Sequence, residues 1–221
     1  MIPKIIHYCW FGGKEKPQSV MDYIKTWRDN NPDYVIKEWN ESNFDYKSIR
    51  YSREAYAVGK YAFVSDVARI YALMTEGGIY MDTDVRVLKS FDPFLNNVSF
   101  ISRENPFMPS TAVIGTEKDT QWLKEMWKFY NSVEFINKKG NLAMLPNTSI
   151  LGNIINELPI ISQEQFRIYD RDYFCAKKYP SAELTITNNT VAVHEFAGSW
   201  GKFKPTVLYR LKNLYKKYTN R

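Results

Sequence analysis

Four ionisable residues packed into one short stretch could do chemistry: Asp66 and Arg69, then Asp82 and Asp84. An Asp-x-Asp pair at strand spacing puts both carboxylates on one side of the chain, about 7 Å apart at the α-carbons. Carboxylates that close repel, and burial makes each charge costly unless it is paired. A hard divalent cation relieves both by taking oxygen ligands. Asp66 and Arg69, three residues apart, share a helical face, with Ser65 beside them. If that helix packs beside the strand, both polar sets reach one cleft. A plainer reading attaches to each pair. Asp82 and Asp84 could face solvent from an edge strand, and Asp66–Arg69 could be a solvated helix pair worth about 0.3–0.5 kcal/mol. The apolar flanks, and the helix and glycine stop before the aspartates, shift the balance towards a cation site.

The elements that must hold these residues are visible in the periodicity. Phe63, Val64, Val67, Ile70, Tyr71 and Met74 have helical spacing, and Gly77-Gly78 supplies the positive-φ residue that ends a helix. Beyond it the pattern turns to period two. Ile79, Met81, Thr83, Val85 and Val87 point one way and Tyr80, Asp82, Asp84 and Arg86 the other, which predicts one strand through all of them. Upstream, Lys4–Trp10 reads as a strand. A helix capped by Ser19 follows, with Val20, Ile24 and Trp27 on one face, and then a second strand, Tyr34–Trp39. A β–α–β start marks a parallel sheet with ligands at the strand ends. No Gly-x-Gly-x-x-Gly follows the first strand, so a dinucleotide site has no support.

Downstream, Val98–Ser102 and Thr111–Gly115 are strands, the second antiparallel after a loop. Asp119–Val133 and the segment after Asn147 are helices, and Phe166–Tyr169 and Val191–His194 are short strands.

A chain of 221 residues suits one domain. The formal charge of +6 is misleading, because residues 202–221 hold seven basic groups and no acidic one, leaving 23 basic against 24 acidic elsewhere. A near-neutral body argues against nucleic acid as partner. From Pro205 the tail is basic and amphipathic. Two readings stand for it: a helix lying on an anionic membrane surface, or one docked on the domain. The expected division is therefore a catalytic domain over 1–204 and a helix over 205–221. No apolar run spans a bilayer, the N-terminus lacks a signal layout, and Cys9 and Cys175 read as buried thiols. A cytoplasmic location, with possible contact to the inner membrane face, is the expectation.

The run Ser65-Asp66-x-x-Arg69, then Gly77-Gly78-Ile-Tyr80-x-Asp82-x-Asp84, resembles the sugar-binding region of glycosyltransferase family 32. That family includes bacterial capsule-synthesis transferases and yeast initiating mannosyltransferases. The run is also similar to the catalytic domain of the large clostridial glucosylating toxins. The resemblance implies a GT-A-type, Rossmann-like α/β fold with a central, mostly parallel mixed sheet flanked by helices. It implies a metal-dependent, retaining transfer of a hexose from a UDP-sugar, with GDP-mannose ranked behind, to a hydroxyl of a glycan or lipid-linked oligosaccharide in capsule or O-antigen assembly. It implies Mn²⁺ or Mg²⁺ as cofactor.

By the same resemblance Asp66 contacts ribose or sugar hydroxyls, and Arg69 the sugar or phosphates. Asp82 touches ribose, sugar or metal, Asp84 ligates the metal, and Tyr80 lines the pocket. Trp10 closes the first strand in His7-Tyr8-Cys9-Trp10-Phe11-Gly12-Gly13 and could be core or a base platform; the resemblance implies stacking on uracil. His7 reads as structural. The segment His194-Glu195-Phe196-Ala-Gly198-Ser199-Trp200-Gly201 resembles the family's loop over the diphosphate. His194, or Glu195 in its place, would be the further metal ligand, with Ser199 and Trp200 near the phosphate. Asn147 is the residue expected to hydrogen-bond the sugar. Two other classes stay open: a sugar-nucleotide-binding module without turnover, and a nucleotidyltransferase.

Overall fold

The computed structural model describes residues 1–158 and 165–197. Strand β1 (Ile5–Cys9), helix α1 (Gln18–Asn30) and strand β2 (Val35–Trp39) form the expected opening unit. Helices α2 (Arg50–Ala57) and α3 (Tyr61–Glu76) lead to β3 (Gly78–Met81) and β4 (Val85–Val87). Strands β5 (Ser99–Asn105), β6 (Met108–Pro109) and β7 (Val113–Thr116) follow, then helices α4 (Gln121–Ser132) and α5 (Asn147–Glu157). Strand β8 (Phe166–Tyr169), the short helix α6 (Arg171–Phe174) and β9 (Ala192–His194) close the described chain.

The main sheet runs β2-β1-β3-β7-β5-β6, with β8 beside β5. β2, β1 and β3 are parallel, β7 is antiparallel to both β3 and β5, and β8 is parallel to β5. With β6 antiparallel to β5, the sheet is mixed, as the resemblance implies, with parallel and antiparallel pairings in equal number. β4 and β9 pair antiparallel in a separate two-stranded sheet.

Alternation along the strands sorts the core into two layers. Cys9, Tyr80, Ile114 and Ile101 face α2, α3, α4 and α5. Ile6, Tyr8, Ile79, Met81, Val113 and Phe100 face α1, α6 and the β4–β9 pair. α3 is the most deeply buried helix. Val64, Val67, Ala68, Ile70, Ala72 and Leu73 have no exposed surface, and a fully buried Val, Leu or Ile contributes about 1.5–3 kcal/mol relative to exposure.

The glycine stop does two jobs. Gly77 (φ +67°) ends α3, and Gly78 (φ +105°) brings β3 so close to β1 that an added Cβ would lie 2.7 Å from the Ile5 carbonyl. His7 locks this junction from below. It is fully buried, its Nε2 lies 2.7 Å from Gly77 O, and its Nδ1 accepts the Trp39 indole N–H at 3.0 Å. An acceptor Nδ1 leaves Nε2 as the protonated nitrogen, and burial holds the ring's pKa below its ordinary value.

Two expectations need correction. Residues 79–88 are not one strand. β3 stops at Met81, Asp82 N–H donates to Ala112 O (2.9 Å), and Val85 N–H turns back to Asp82 O (3.1 Å). The period-two pattern runs through the turn because β3 and β4 each bury a face, in different sheets. Asp82 and Asp84 therefore come from a tight turn at the strand end, not from one strand face. Ser19 lies inside α1, whose N-terminal boundary is Pro17 with no side-chain cap. The 205–221 helix lies outside the described residues, among which no helix is long and apolar enough to cross a membrane.

Candidate functional site

α3 carries Asp66 and Arg69 to the edge where the parallel strands end. Arg69 is 3% exposed and Asp66 has no exposed surface. The guanidinium is gripped from several sides. Its Nη2 lies 2.9 Å from Asp66 Oδ1 and 3.2 Å from Asp82 Oδ1, and Nη1 donates to Thr111 O at 2.9 Å. Its plane sits 4.4 Å from the centroid of the Tyr80 ring. Burial works against this charge, but Asp82, Tyr80 and Asp66 carry its pKa above the ordinary value. Arg69 is thus a fixed cation joining the helix to the turn after β3.

Asp66 is the strained member. Burial pushes its carboxyl up to about 7, Arg69 opposes the shift and Asp82 adds to it. Oδ1 also accepts from Asn147 Nδ2 (2.7 Å), while Oδ2 has no partner among the described residues. Asn147 is itself buried, and its Oδ1 accepts from Thr111 Oγ1 at 2.8 Å. A network Thr111–Asn147–Asp66–Arg69 therefore ties α5 and the segment before β7 to α3.

Asp82 accepts the Tyr80 hydroxyl at 2.9 Å, and burial raises its pKa against the pull of Arg69. Asp84 moves the other way. Burial would raise it, but His194 (Nε2 to Oδ1 3.3 Å) and the Ala197 N–H (2.8 Å to Oδ2) hold it below the usual carboxylate range. For His194 burial acts to lower the pKa. The Asp84 carboxylate first, then the Cys175 thiol and Asp82, more than reverse this, and the imidazole is held up to about 10.

One ligand atom each from Asp82, Asp84 and His194 lies within 4.8 Å of the others. Two carboxylates and an imidazole make a donor set suited to a hard or borderline divalent cation. At neutral pH the His194 proton supplies the positive charge that such an ion would bring. The pairing of β4 with β9 creates this cluster, because it sets Val85 opposite His194. Glu195 is engaged elsewhere, by Arg86 Nε at 3.1 Å and Lys177 Nζ at 2.9 Å; of the two alternatives, His194 joins the aspartates.

Of the remaining sequence-selected residues, Ser65 and Tyr80 lie beside Arg69. Ser65 Oγ bonds back to Tyr61 O (3.1 Å) and the Ser65 carbonyl accepts from Arg69 Nε (3.4 Å). Tyr80 is buried behind Asp82. Trp10, just past β1, is half-buried and its indole N–H donates to Lys14 O at 2.6 Å. Ser199 and Trp200 lie outside the described residues. Thr111 and Ala197 were not selected from sequence. Ala197 acts through a backbone N–H and Thr111 holds Arg69 through its carbonyl, groups that every residue has, and nothing in the sequence pattern marks the Thr111 hydroxyl that donates to Asn147.

Residues 17–101 match the family model described as the glycosyltransferase sugar-binding region containing the DXD motif. This stretch is similar to the sugar-binding region of DXD glycosyltransferases. This region supplies α3, Asp66, Arg69, Asp82 and Asp84, whereas Trp10, Asn147 and His194 lie outside it. The chain is 29% identical over 133 residues to inositol phosphoceramide mannosyltransferase 3 of Schizosaccharomyces pombe, covering 57% of this chain and 36% of that protein. It is 27% identical over 179 residues to the initiation-specific alpha-1,6-mannosyltransferase of the same yeast, covering 76% of this chain and 42% of that one. It thus spans roughly two fifths or less of these curated relatives. Among solved structures it is similar to the PaToxG glycosyltransferase, with a TM-score of 0.54 at 18% identity over 74% of this chain and 73% of that chain. The fold is of the GT-A type.

Proposed function

We propose that this protein is a divalent-cation-dependent glycosyltransferase that moves a hexose from a nucleotide diphosphate sugar to a hydroxyl of a glycan acceptor. The observation that carries this is the convergence of Asp82, Asp84 and His194 at the end of β3, beside the Asp66–Arg69 pair. Asp82, Asp84 and His194 would hold the ion, Mn²⁺ ahead of Mg²⁺ because one ligand is an imidazole. When bound, the cation would stabilise the negative charge that grows on the departing nucleoside diphosphate.

The chain's own residues supply the rest. Arg69, locked by Asp66, Asp82 and Thr111, sets a fixed positive charge beside the cleft without reorganising during reaction. Asp66 Oδ2 is buried and lacks a partner among the described residues, so a donor hydroxyl reaching that depth would relieve it. Trp10 at the end of β1 would present its ring to the base.

A UDP-hexose is the first donor reading, with retention of anomeric configuration. GDP-mannose is the second, favoured by the mannosyltransferase names of the curated relatives. The acceptor reading is a lipid-linked oligosaccharide of capsule or O-antigen type. The test is incubation with Mn²⁺ and a panel of UDP-sugars and GDP-mannose, scoring free sugar and nucleoside diphosphate. Hydrolysis of one donor by the wild-type protein, abolished in Asp84→Ala, is expected. Binding without turnover would point to a sugar-nucleotide-binding module, and pyrophosphate released from a nucleoside triphosphate to a nucleotidyltransferase.

A further inference from the structure

β5 carries a carboxylate that the centre described above leaves unused. β5 is parallel to β3, since each is antiparallel to the β7 strand between them. Its C-terminal end therefore lies on the same sheet edge as Asp82. Three backbone bonds mark the path between them. The Asp82 N–H donates to Ala112 O (2.9 Å), Arg69 donates to Thr111 O (2.9 Å), and the Ser110 N–H donates to Ser102 O (2.8 Å). Segment 110–112 thus has Asp82 and Arg69 on one side and Ser102 on the other.

Glu104 is two residues beyond Ser102. Phe100, earlier on the same strand, packs in the layer of β4 and β9. The register of β5 against β6 slips at this point. Arg103 pairs with Pro109 and Asn105 with Met108, so Glu104 is the extra residue of a bulge. Bulges beside active sites commonly re-aim a side chain. Here Arg103 is exposed while Glu104 is half-buried. Among the described residues Glu104 has no hydrogen bond or ion pair, and Ser102 Oγ is buried without a partner. His194 is close enough for its charge to act on the Glu104 carboxyl, which burial meanwhile pushes above its ordinary range. Glu104 is not among the three residues of the candidate metal cluster. A half-buried carboxylate within electrostatic reach of His194, without a hydrogen-bond partner among the described residues, is suited to accept hydrogen bonds from a hydroxyl-rich ligand.

We propose that Glu104 seats the acceptor: its carboxylate receives a hydrogen bond from a hydroxyl of the incoming glycan, across the cleft from the donor. This rests on the transferase reading above. It assigns the acceptor side to the β5–β6 hairpin, and the donor side to α3 and the turn after β3.

The test uses Glu104→Gln and Glu104→Ala with Mn²⁺, the donor that the wild-type protein hydrolyses, and simple methyl glycosides as acceptors. Hydrolysis to water should stay within about threefold of wild type. Transfer to glycoside should fall about tenfold or more, the loss expected for a hydrogen bond to a charged group. Asp84→Ala should lose both reactions. Thermal melts of Glu104→Gln should match or exceed wild type, since an unpaired half-buried charge is removed. Glu104→Gln that transfers at the wild-type rate, or loses hydrolysis in step with transfer, overturns the assignment. Failure of the transferase reading is seen separately, as a wild-type protein that splits no donor. Ligand-observed NMR with the same methyl glycosides then still decides. Binding by wild type that is lost in Glu104→Gln upholds the seat, and equal binding by both refutes it.

Discussion

Asp66→Asn should make this protein more stable at alkaline pH while disabling it. The Asp66 carboxyl is fully buried and is raised from 3.8 to about 7 in the fold. A raised folded pKa means that the native state holds its proton more tightly than the unfolded chain. The associated stability is complete below pH 3.8 and is lost as pH rises through about 7. A shift of about three units corresponds to a cost on the order of 4 kcal/mol above pH 8. Asparagine removes the charge and keeps an oxygen for Asn147 and Arg69, but its amide N–H₂ takes the unpartnered place of Oδ2, at about 1–3 kcal/mol. The net gain at pH 8 should be about 1–3 kcal/mol, and at pH 5, where Asp66 is already protonated, it should vanish or reverse. Urea titrations of both proteins at the two pH values, with unchanged slopes, measure this difference directly. Other carboxylates titrate in both proteins and cancel to first order. An Asp66→Asn protein that is less stable at pH 8, or a difference that does not change with pH, would refute the claim that Asp66 is held charged at a cost. Donor hydrolysis should fall in the same variant, because the oxygen left for a ligand becomes a donor.

Two further outcomes follow from the same geometry. His194 is held up to about 10, against burial, by Asp84. The stability of that imidazolium–carboxylate pair is present below pH 6.5 and is lost as pH rises through about 10. On the proposed cation reading, Mn²⁺ would have to displace the proton, so its affinity should rise about tenfold per pH unit across the neutral range, with close to one proton released per ion. Titration calorimetry in two buffers of different ionisation enthalpy would expose an error here, as pH-independent affinity and no proton uptake by buffer. Gly78→Ala should be far costlier than Gly140→Ala. Both have positive φ, but an added Cβ at Gly78 meets the Ile5 carbonyl at 2.7 Å, whereas nothing lies within 4 Å at Gly140. Thermal denaturation should show a loss of about 1–2 kcal/mol for Gly140→Ala from backbone strain alone, and clearly more for Gly78→Ala.

What could be read in the sequence was local, and what could not was pairing. α3 and its glycine stop are legible because burial on one helical face writes a 3.6-residue pattern, and a helix end needs a positive φ that glycine supplies. The Asp-x-Asp spacing is equally visible, but the turn that carries it is not. Val85 and Val87 alternate because they pack in the β4–β9 sheet, whose other strand lies over a hundred residues away. A period of two reports that alternate residues are buried; it does not report which sheet buries them. Asp82 N–H is held by Ala112 O, just before β7, where the chain turns so that Val85 N–H reaches Asp82 O, and no local rule anticipates that distant partner. The same limit hides Glu104, since a bulge exists only relative to a partner strand, and β6 is two residues long. Asp66, Arg69, Asp82 and Asp84 thus lie in a self-contained stretch that periodicity can reveal, whereas Asn147 and His194 join them only through the fold, and the proposed acceptor seat at Glu104 depends on a hairpin register that only the folded sheet defines. Related chains would accordingly keep the 65–84 pattern legible while the 103–109 hairpin varies with the acceptor. Exchanging that hairpin between two such chains should move acceptor choice and leave donor choice in place.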